Sequence, residues 1–344
     1  MKIKIFFSGI ILASVILGTF SSCDTDSEAL NVQDLTTYDE QYYANLRAFK
    51  KSDHEISYVY YAGWAPIEGA TGYKDPASWG ERIVGLPDSI DIVNLWMGVP
   101  TADTHPIAYK DMIETREKKG TRFVMHADAS NYRHKFKVAL RDSLYNQIEK
   151  VDSNGQVVKD SLGNVVYDSV YYDLSKDRSE AAIRAYARYN CDVIIQDELD
   201  GVDFDYEGWN SNDMYIVANE CDKLFGPKGL FPEKLFIIDY FGGSPGTNCD
   251  PYVDYYIKQA YSAQGSGVGA GGHPDEKTVY CESFGQQPTG GQIAAYAAWE
   301  PGGSKHKGGC GAYYVGRNYY NTSDGIPYGA IRRAIQIMNP ALNK

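Results

Sequence analysis

The chain has 344 residues, 43% of them hydrophobic, with 33 Lys and Arg set against 45 Asp and Glu for a net charge of −12. That balance argues against nucleic acid or an anionic lipid surface as the main partner. Length beyond the first ~25 residues fits one large domain, which excludes nothing as large as a barrel.

The first 22 residues, MKIKIFFSGIILASVILGTFSS, join two lysines to an apolar run from Ile5 to Leu17 and a small-residue tail before Cys23. The run is short for a spanning helix, so residues 1–22 are predicted to be an export signal, and Ser21-Ser22-Cys23 resembles the lipobox of bacterial lipoproteins, in which the cysteine is acylated. Phe20 departs from that pattern, and ordinary secretory cleavage nearby is the alternative. A lipid anchor at Cys23 would hold the protein in the cell envelope, on the outer membrane, facing either the periplasm or the medium. Losing Lys2 and Lys4 makes the mature chain more acidic by two charges. Residues 23–37 are polar and acidic, and read as a tether. The remaining cysteines, 191, 221, 249, 281 and 310, have no metal-type pair spacing, so free buried thiols are expected.

From residue 38 the folded domain begins, with YDEQYYANLRAFKKSDH read as a helix. Eight apolar, β-branched runs follow, each closing in a loop rich in Gly, Pro, Asp or Trp: 56–64, 89–97, 121–129, 199–207, 234–243, 253–261, 277–285 and 310–318. With helical patterns at 179–189 and 326–338, they predict a (β/α)₈ TIM barrel. Only about ten residues separate the fifth and sixth strands, and the sixth-to-seventh link is glycine-rich, so helices after strands 5 and 6 are expected to be missing. Between strands 3 and 4 the chain is too long for a plain helix. Asn154-Gly155 and Gly163-Asn164 between valine runs predict a β-hairpin insertion over 147–174, expected to overhang the cleft.

The stretch LDGVDFDYEGWN, 199–210, crowds acids into an otherwise buried strand. By alternation Asp203, Asp205 and Glu207 share one face while Val202 and Phe204 take the other, and Glu207 falls at the carboxyl end where barrel enzymes keep their chemistry. Neighbouring carboxylates cannot all ionise cheaply, so a raised pKa is expected among them, as a general acid requires. An EF-hand reading fails because the twelfth position from Asp203 is Met214. Histidines show no metal-ligand spacing, so neither a metal nor another cofactor is expected. Trp64, Trp96, Trp209 and Tyr313 or Tyr314 lie at predicted strand ends, where aromatic faces offer a platform to a ligand; of these Trp209, two positions after Glu207, stands out.

Asp200-Gly201-Val202-Asp203-Phe204-Asp205-Tyr206-Glu207 matches DGxDxDxE and resembles the signature of glycoside hydrolase family 18, which comprises chitinases and endo-β-N-acetylglucosaminidases. The resemblance implies Glu207 as acid/base, Asp205 as the group that orients the substrate's acetamido arm, and Asp203 as the inner proton-sharing partner. It also implies substrate-assisted retaining hydrolysis. Gln259-Ala260-Tyr261 is similar to the Gln-x-Tyr pair of the endo-β-N-acetylglucosaminidase branch, with Gln259 and Tyr261 as substrate-binding residues beside Trp209, Trp64 and Tyr313. On that reading the partner is an N-glycan or glycoprotein, cut in its GlcNAc-β1,4-GlcNAc core by a monomer. A chitinase and a surface glycan-binding protein with a silent barrel are the alternatives. Where the family's third strand usually ends in a serine-containing turn, this chain has His126, which would either bond the inner aspartate or fill the core.

Overall fold

Each of the eight apolar runs forms a parallel strand, and together they close a barrel in the order β1-β10-β9-β8-β7-β6-β3-β2. The computed structural model describes residues 35–62, 80, 82–127, 134–142, 144–269, 272–302 and 306–340. The barrel strands are β1 (Ile56–Tyr60), β2 (Ile92–Leu95), β3 (Arg122–Ala127), β6 (Gly201–Asp205), β7 (Leu235–Tyr240), β8 (Tyr255–Gln259), β9 (Thr278–Ser283) and β10 (Gly309–Tyr313). Every strand ends two to five residues before the sequence pattern does, so Glu207 and Tyr261 stand on the rim beyond the last ladder bonds.

The helices follow local chemistry. Helix α1 (Glu40–Lys50) starts on the Asp39 side chain, which accepts the Tyr42 N–H. Helix α2 (Pro106–Lys119) has proline in its first turn and ends at Gly120, whose φ of 69° is left-handed. Ser179 and Asn210 cap α3 (Glu180–Gln196) and α4 (Ser211–Phe225). Helices α5 (Ile293–Ala298), α6 (Arg317–Tyr320) and α7 (Gly329–Met338) complete the outer layer. Among the described residues no α-helix lies between β7 and β8 or between β8 and β9, as the shortness of the first link and the glycines of the second predict.

Two apolar layers result from the alternation. Val202 and Phe204 face outwards, with Trp209 and Tyr186, into the layer between strands and helices. Tyr58, Ile92, Val124, Leu235, Ile237, Ile257 and Val279 fill the barrel itself. The seam between β1 and β10 leaves no room for a side chain at Gly311, because a Cβ there would collide with the Tyr58 carbonyl. All five described cysteines are buried free thiols, with Cys191 on α3 3.7 Å from Cys221 on α4.

The insertion is larger than predicted and differently placed. It begins with β4 (Lys135–Ala139) paired to β5 (Ser169–Asp173), then branches. Three arms close through the bridges Arg141↔Gln147, Val151↔Val157 and Lys159↔Val165, on a short stem at Glu149↔Tyr167. In each arm one aspartate, Asp142, Asp152 or Asp160, accepts the N–H groups two and four residues on. At the branch points the backbone closes two triangles: Leu140, Ile148 and Asp168 bond in a cycle, as do Lys150, Val158 and Val166, so no ladder group is orphaned. The first arm does not overhang the cleft. Phe136 packs on Tyr186 and Tyr189 of α3, Arg141 and Tyr145 bind Asp192 near the end of α3, and Tyr145 meets Phe231 just before β7. These partners lead the insertion down the outside of the barrel towards its amino end, because its anchoring aromatic and arginine side chains find an apolar, acidic seat on the helices.

Candidate active site

Inside the barrel, the carboxyl ends of the strands carry a polar layer above the aliphatic one. Asp203 is fully buried, and its Oδ2 accepts the Tyr58 hydroxyl at 2.5 Å, the Asn94 amide at 2.8 Å and the Tyr60 hydroxyl at 3.3 Å. One register step away lies a second buried carboxyl, Asp239 on β7, which accepts the Tyr60 hydroxyl at 2.8 Å and the Gln259 amide at 3.1 Å. Burial raises the pKa of Asp203 and, with the charges of Asp203 and Asp205 added, raises that of Asp239 well above the carboxylate range.

The rim is built on the same strand. Asp205 pairs in register with Asp239, and its Oδ1 accepts the Glu207 N–H at 3.0 Å, a bracket that lifts Glu207 off the strand. Gly208, at φ 80°, turns the chain towards α4 directly afterwards. Glu207 as a residue is open to the cleft, yet its carboxyl is partly buried; that burial and the Asp205 charge raise its pKa, while a hydrogen bond from Gln259 opposes them. His126 makes no hydrogen bond to the inner aspartate. Its nearly buried ring lies between the outer carboxyls, with Nε2 4.0 Å from Asp205 and Nδ1 3.7 Å from Asp239, and has Asn94 at 3.4 Å.

Aromatic rings gather at the rim. Tyr261 stacks on Phe241 at 5.8 Å and leans on Tyr313 at the same distance. Tyr313 meets Trp96 edge-on at 4.9 Å, and Trp96 is also 5.7 Å from Tyr314. Trp209 requires correction. It is only 6% exposed and packs 5.9 Å from Tyr186, because the turn at Gly208 drops it between β6 and α3 instead of over the cleft. Trp64 and Cys23 lie outside the described residues.

One group among the described residues could close around a cation: His126, Asp203 and Asp239, with ligand atoms within 4.8 Å of one another. The donor set does not fit that use. Two tyrosine hydroxyls and the Asn94 and Gln259 amides already aim hydrogens at these carboxyls, where a cation needs free lone pairs. What the arrangement supplies is a buried, proton-holding carboxyl cluster beneath one accessible glutamate.

The chain matches the profile of Glycoside hydrolase family 18, BT1044-like, over residues 24–271. It belongs to glycoside hydrolase family 18. It is also similar to endo-beta-N-acetylglucosaminidase F2 of Elizabethkingia meningoseptica, at 26% identity over 270 aligned positions, covering 74% of this chain and 64% of that protein, under two thirds of its length. Among solved structures it resembles a BT1044 glutamate-to-glutamine variant, with a TM-score of 0.59 and 21% identity over 89% of this chain and 94% of that one. The endo-beta-N-acetylglucosaminidase of Cordyceps militaris gives a TM-score of 0.58 at 18% identity, over 89% of this chain and 98% of that one. These likenesses establish the barrel fold.

Within this family 18 chain, the signature's first aspartate has a separate task. Asp200 accepts the Phe123 N–H at 2.8 Å and the Arg116 guanidinium at 3.1 Å, tying β6 to β3 and α2 at the amino end. Four site residues escaped the sequence reading: Tyr58, Tyr60, Asn94 and Asp239. Their signal was present as a polar side chain at an inward position of an apolar strand, in ISYVY, IVNL and LFIIDY, where burial demands a partner.

Proposed function

We propose that the protein is an endo-β-N-acetylglucosaminidase that cuts the GlcNAc-β1,4-GlcNAc core of N-glycans by substrate-assisted retention. One observation carries the reading: of the four clustered carboxyls, Glu207 is the exposed one, and Asp205, partly buried, stands beside it at the rim. Asp203 and Asp239 are fully buried, and Asp205 is committed to the Glu207 backbone and to its carboxyl neighbour. A second carboxylate placed to attack the sugar is absent from this cluster, so the nucleophile comes from the substrate, and a 2-acetamido group supplies it.

Glu207 protonates the glycosidic oxygen while the acetamido carbonyl oxygen bonds to the anomeric carbon and the glycosidic bond breaks, leaving an oxazolinium ion. Asp205 accepts the N–H on which positive charge develops, and the Tyr261 hydroxyl donates to the acetamido oxygen. Glu207, now ionised, takes a proton from the water that opens the ring. Trp96, Tyr313 and Tyr314 offer ring faces and edges to the sugars. The Gln259 and Tyr261 pair favours an N-glycan over linear chitin.

The test is mass spectrometry of an N-glycoprotein after incubation, with chitin oligomers in parallel. Release of glycans ending in one GlcNAc, with one GlcNAc left on the protein, is expected. Preferred cleavage of chitin oligomers would make it a chitinase, and tight glycan binding with no release would make it a binding protein. The same reading includes a lipid anchor at Cys23: wild type should partition with membranes and Cys23→Ala with the soluble fraction, and a soluble wild type would contradict it.

A further inference from the structure

The strand β7 carries a carboxyl that the family signature does not contain. Asp239 sits opposite Asp205 in the β6–β7 register, at full burial, and its carboxyl is hydrogen-bonded to that of Asp205. Two carboxyl groups hydrogen-bonded to each other share a proton, since two carboxylates offer only acceptors. The question is which of them holds it. Asp203 has a hydroxyl and an amide within 2.8 Å of Oδ2, both of which oppose the effect of its burial, and no hydrogen-bond partner on Oδ1, whereas Asp239 has one hydroxyl and one amide, at 2.8 and 3.1 Å, spread over two oxygens, and is raised further by the charges of Asp203 and Asp205. Asp205 is the least buried of the three and receives a backbone N–H.

We propose that Asp239 is the neutral carboxylic acid of this site, a positioning residue that donates a hydrogen bond to Asp205 and, through Gln259, fixes Glu207; the proposal rests on the catalytic reading given above. The neutral acid donates to Asp205 and holds it aimed at the substrate's N–H. If Asp239 ionised, it would have no hydrogen to donate and would set a second negative charge against Asp205, so the bond that aims Asp205 would be lost. Gln259 makes the second link, because its amide donates to Asp239 and also bonds Glu207. The β8 glutamine therefore acts from below the substrate as much as on it.

The groups facing Asp239 are Tyr58 and Tyr60 on β1, His126 on β3, Asp203 and Asp205 on β6, Tyr261 after β8 and Cys281 on β9. Of these, His126 is the one group that can bring positive charge. Burial and the two aspartates raise the pKa of Asp239 well above that of an ordinary aspartate, so the folded protein binds a proton that the unfolded chain releases. The sign follows: above the ordinary aspartate pKa, stability falls as pH rises, until the folded-state pKa is passed.

Asp239→Asn removes that proton and keeps one donor and one acceptor of similar shape. Thermal unfolding of wild type and Asp239→Asn, measured without substrate from pH 4 upwards, about the ordinary aspartate pKa, should diverge in slope, with the variant gaining on wild type as pH rises. Parallel curves would overturn the proposal. In turnover, Asp239→Asn should stay within about tenfold of wild type while Asp239→Leu loses roughly 10² or more, the scale of a misplaced catalytic group. An Asn variant as inactive as the Leu variant would show that the negative charge is needed, and would also overturn it. Diverging slopes in a protein that cleaves no glycan would keep the proton on Asp239 and remove the catalytic reading instead.

Discussion

A carboxyl inside a barrel is tolerated when protein donors replace water, and each donor also sets which acid keeps a proton. Tyr58 and Asn94 oppose the effect of burial on Asp203, while Asp239, fully buried beside two other aspartates, is raised further. Glu207 stands where the cleft opens, with its pKa raised by partial burial and by Asp205. As the general acid it must be protonated, so activity should fall as pH rises through that pKa. Asp205→Asn removes the neighbouring charge, and the alkaline limb should then move to lower pH. The same variant should lose turnover on an intact glycoprotein yet still open a preformed sugar oxazoline, since Glu207 remains to activate water. A pH–rate profile with the limb unmoved would separate Asp205 from the tuning of Glu207.

At the scale of elements, position depends on contacts that alternation does not encode. The insertion was legible as strand-turn-strand from its Asn-Gly and Gly-Asn pairs, but its destination rests on Tyr145 reaching Asp192 and Phe231, pairs far apart in the chain. Joining Ala139 to Ser169 by an Asn-Gly turn, so that the β4–β5 ladder remains, should lower the melting temperature and leave glycan preference as it was. A changed preference would place the arms near the cleft after all. The eight strands were readable because each is an apolar run between breakers, and the motif because its acids have no use in a core. Strand ends were not, since the rim residues Glu207 and Tyr261 continue the parity of β6 and β8 after the ladder has stopped. Asp239 was missed because one acid in LFIIDY gives no spacing to recognise, and Trp209 was misplaced because the turn at Gly208 reverses the face on which an aromatic emerges.

For the whole molecule, the barrel must close between its first and last strands, and a buried ion pair sits at that seam. Lys307, before β10, is fully buried and donates to Glu55, before β1, at 2.6 Å and to the Ala297 carbonyl at 2.9 Å, while Asn339 after α7 donates to the Glu55 carbonyl at 2.8 Å. Removing one partner leaves the other buried and unpaired, so Lys307→Ala should cost about 3–5 kcal/mol in denaturant unfolding, and adding Glu55→Gln should restore part of it. A loss within experimental error would mean that the seam closes on backbone pairing alone. Closure matters to function because it brings Tyr58 and Tyr60 of β1 across the barrel to Asp203 and Asp239, on which the rim acids rest. The central claim is that Glu207 transfers the proton. Glu207→Gln keeps the shape and the hydrogen-bonding reach of the side chain, so the decisive measurement is turnover on an N-glycoprotein with glycan affinity determined alongside: a fall of ~10² to 10⁴ in turnover with affinity preserved is predicted, and a variant that cleaves as fast as wild type would contradict the account.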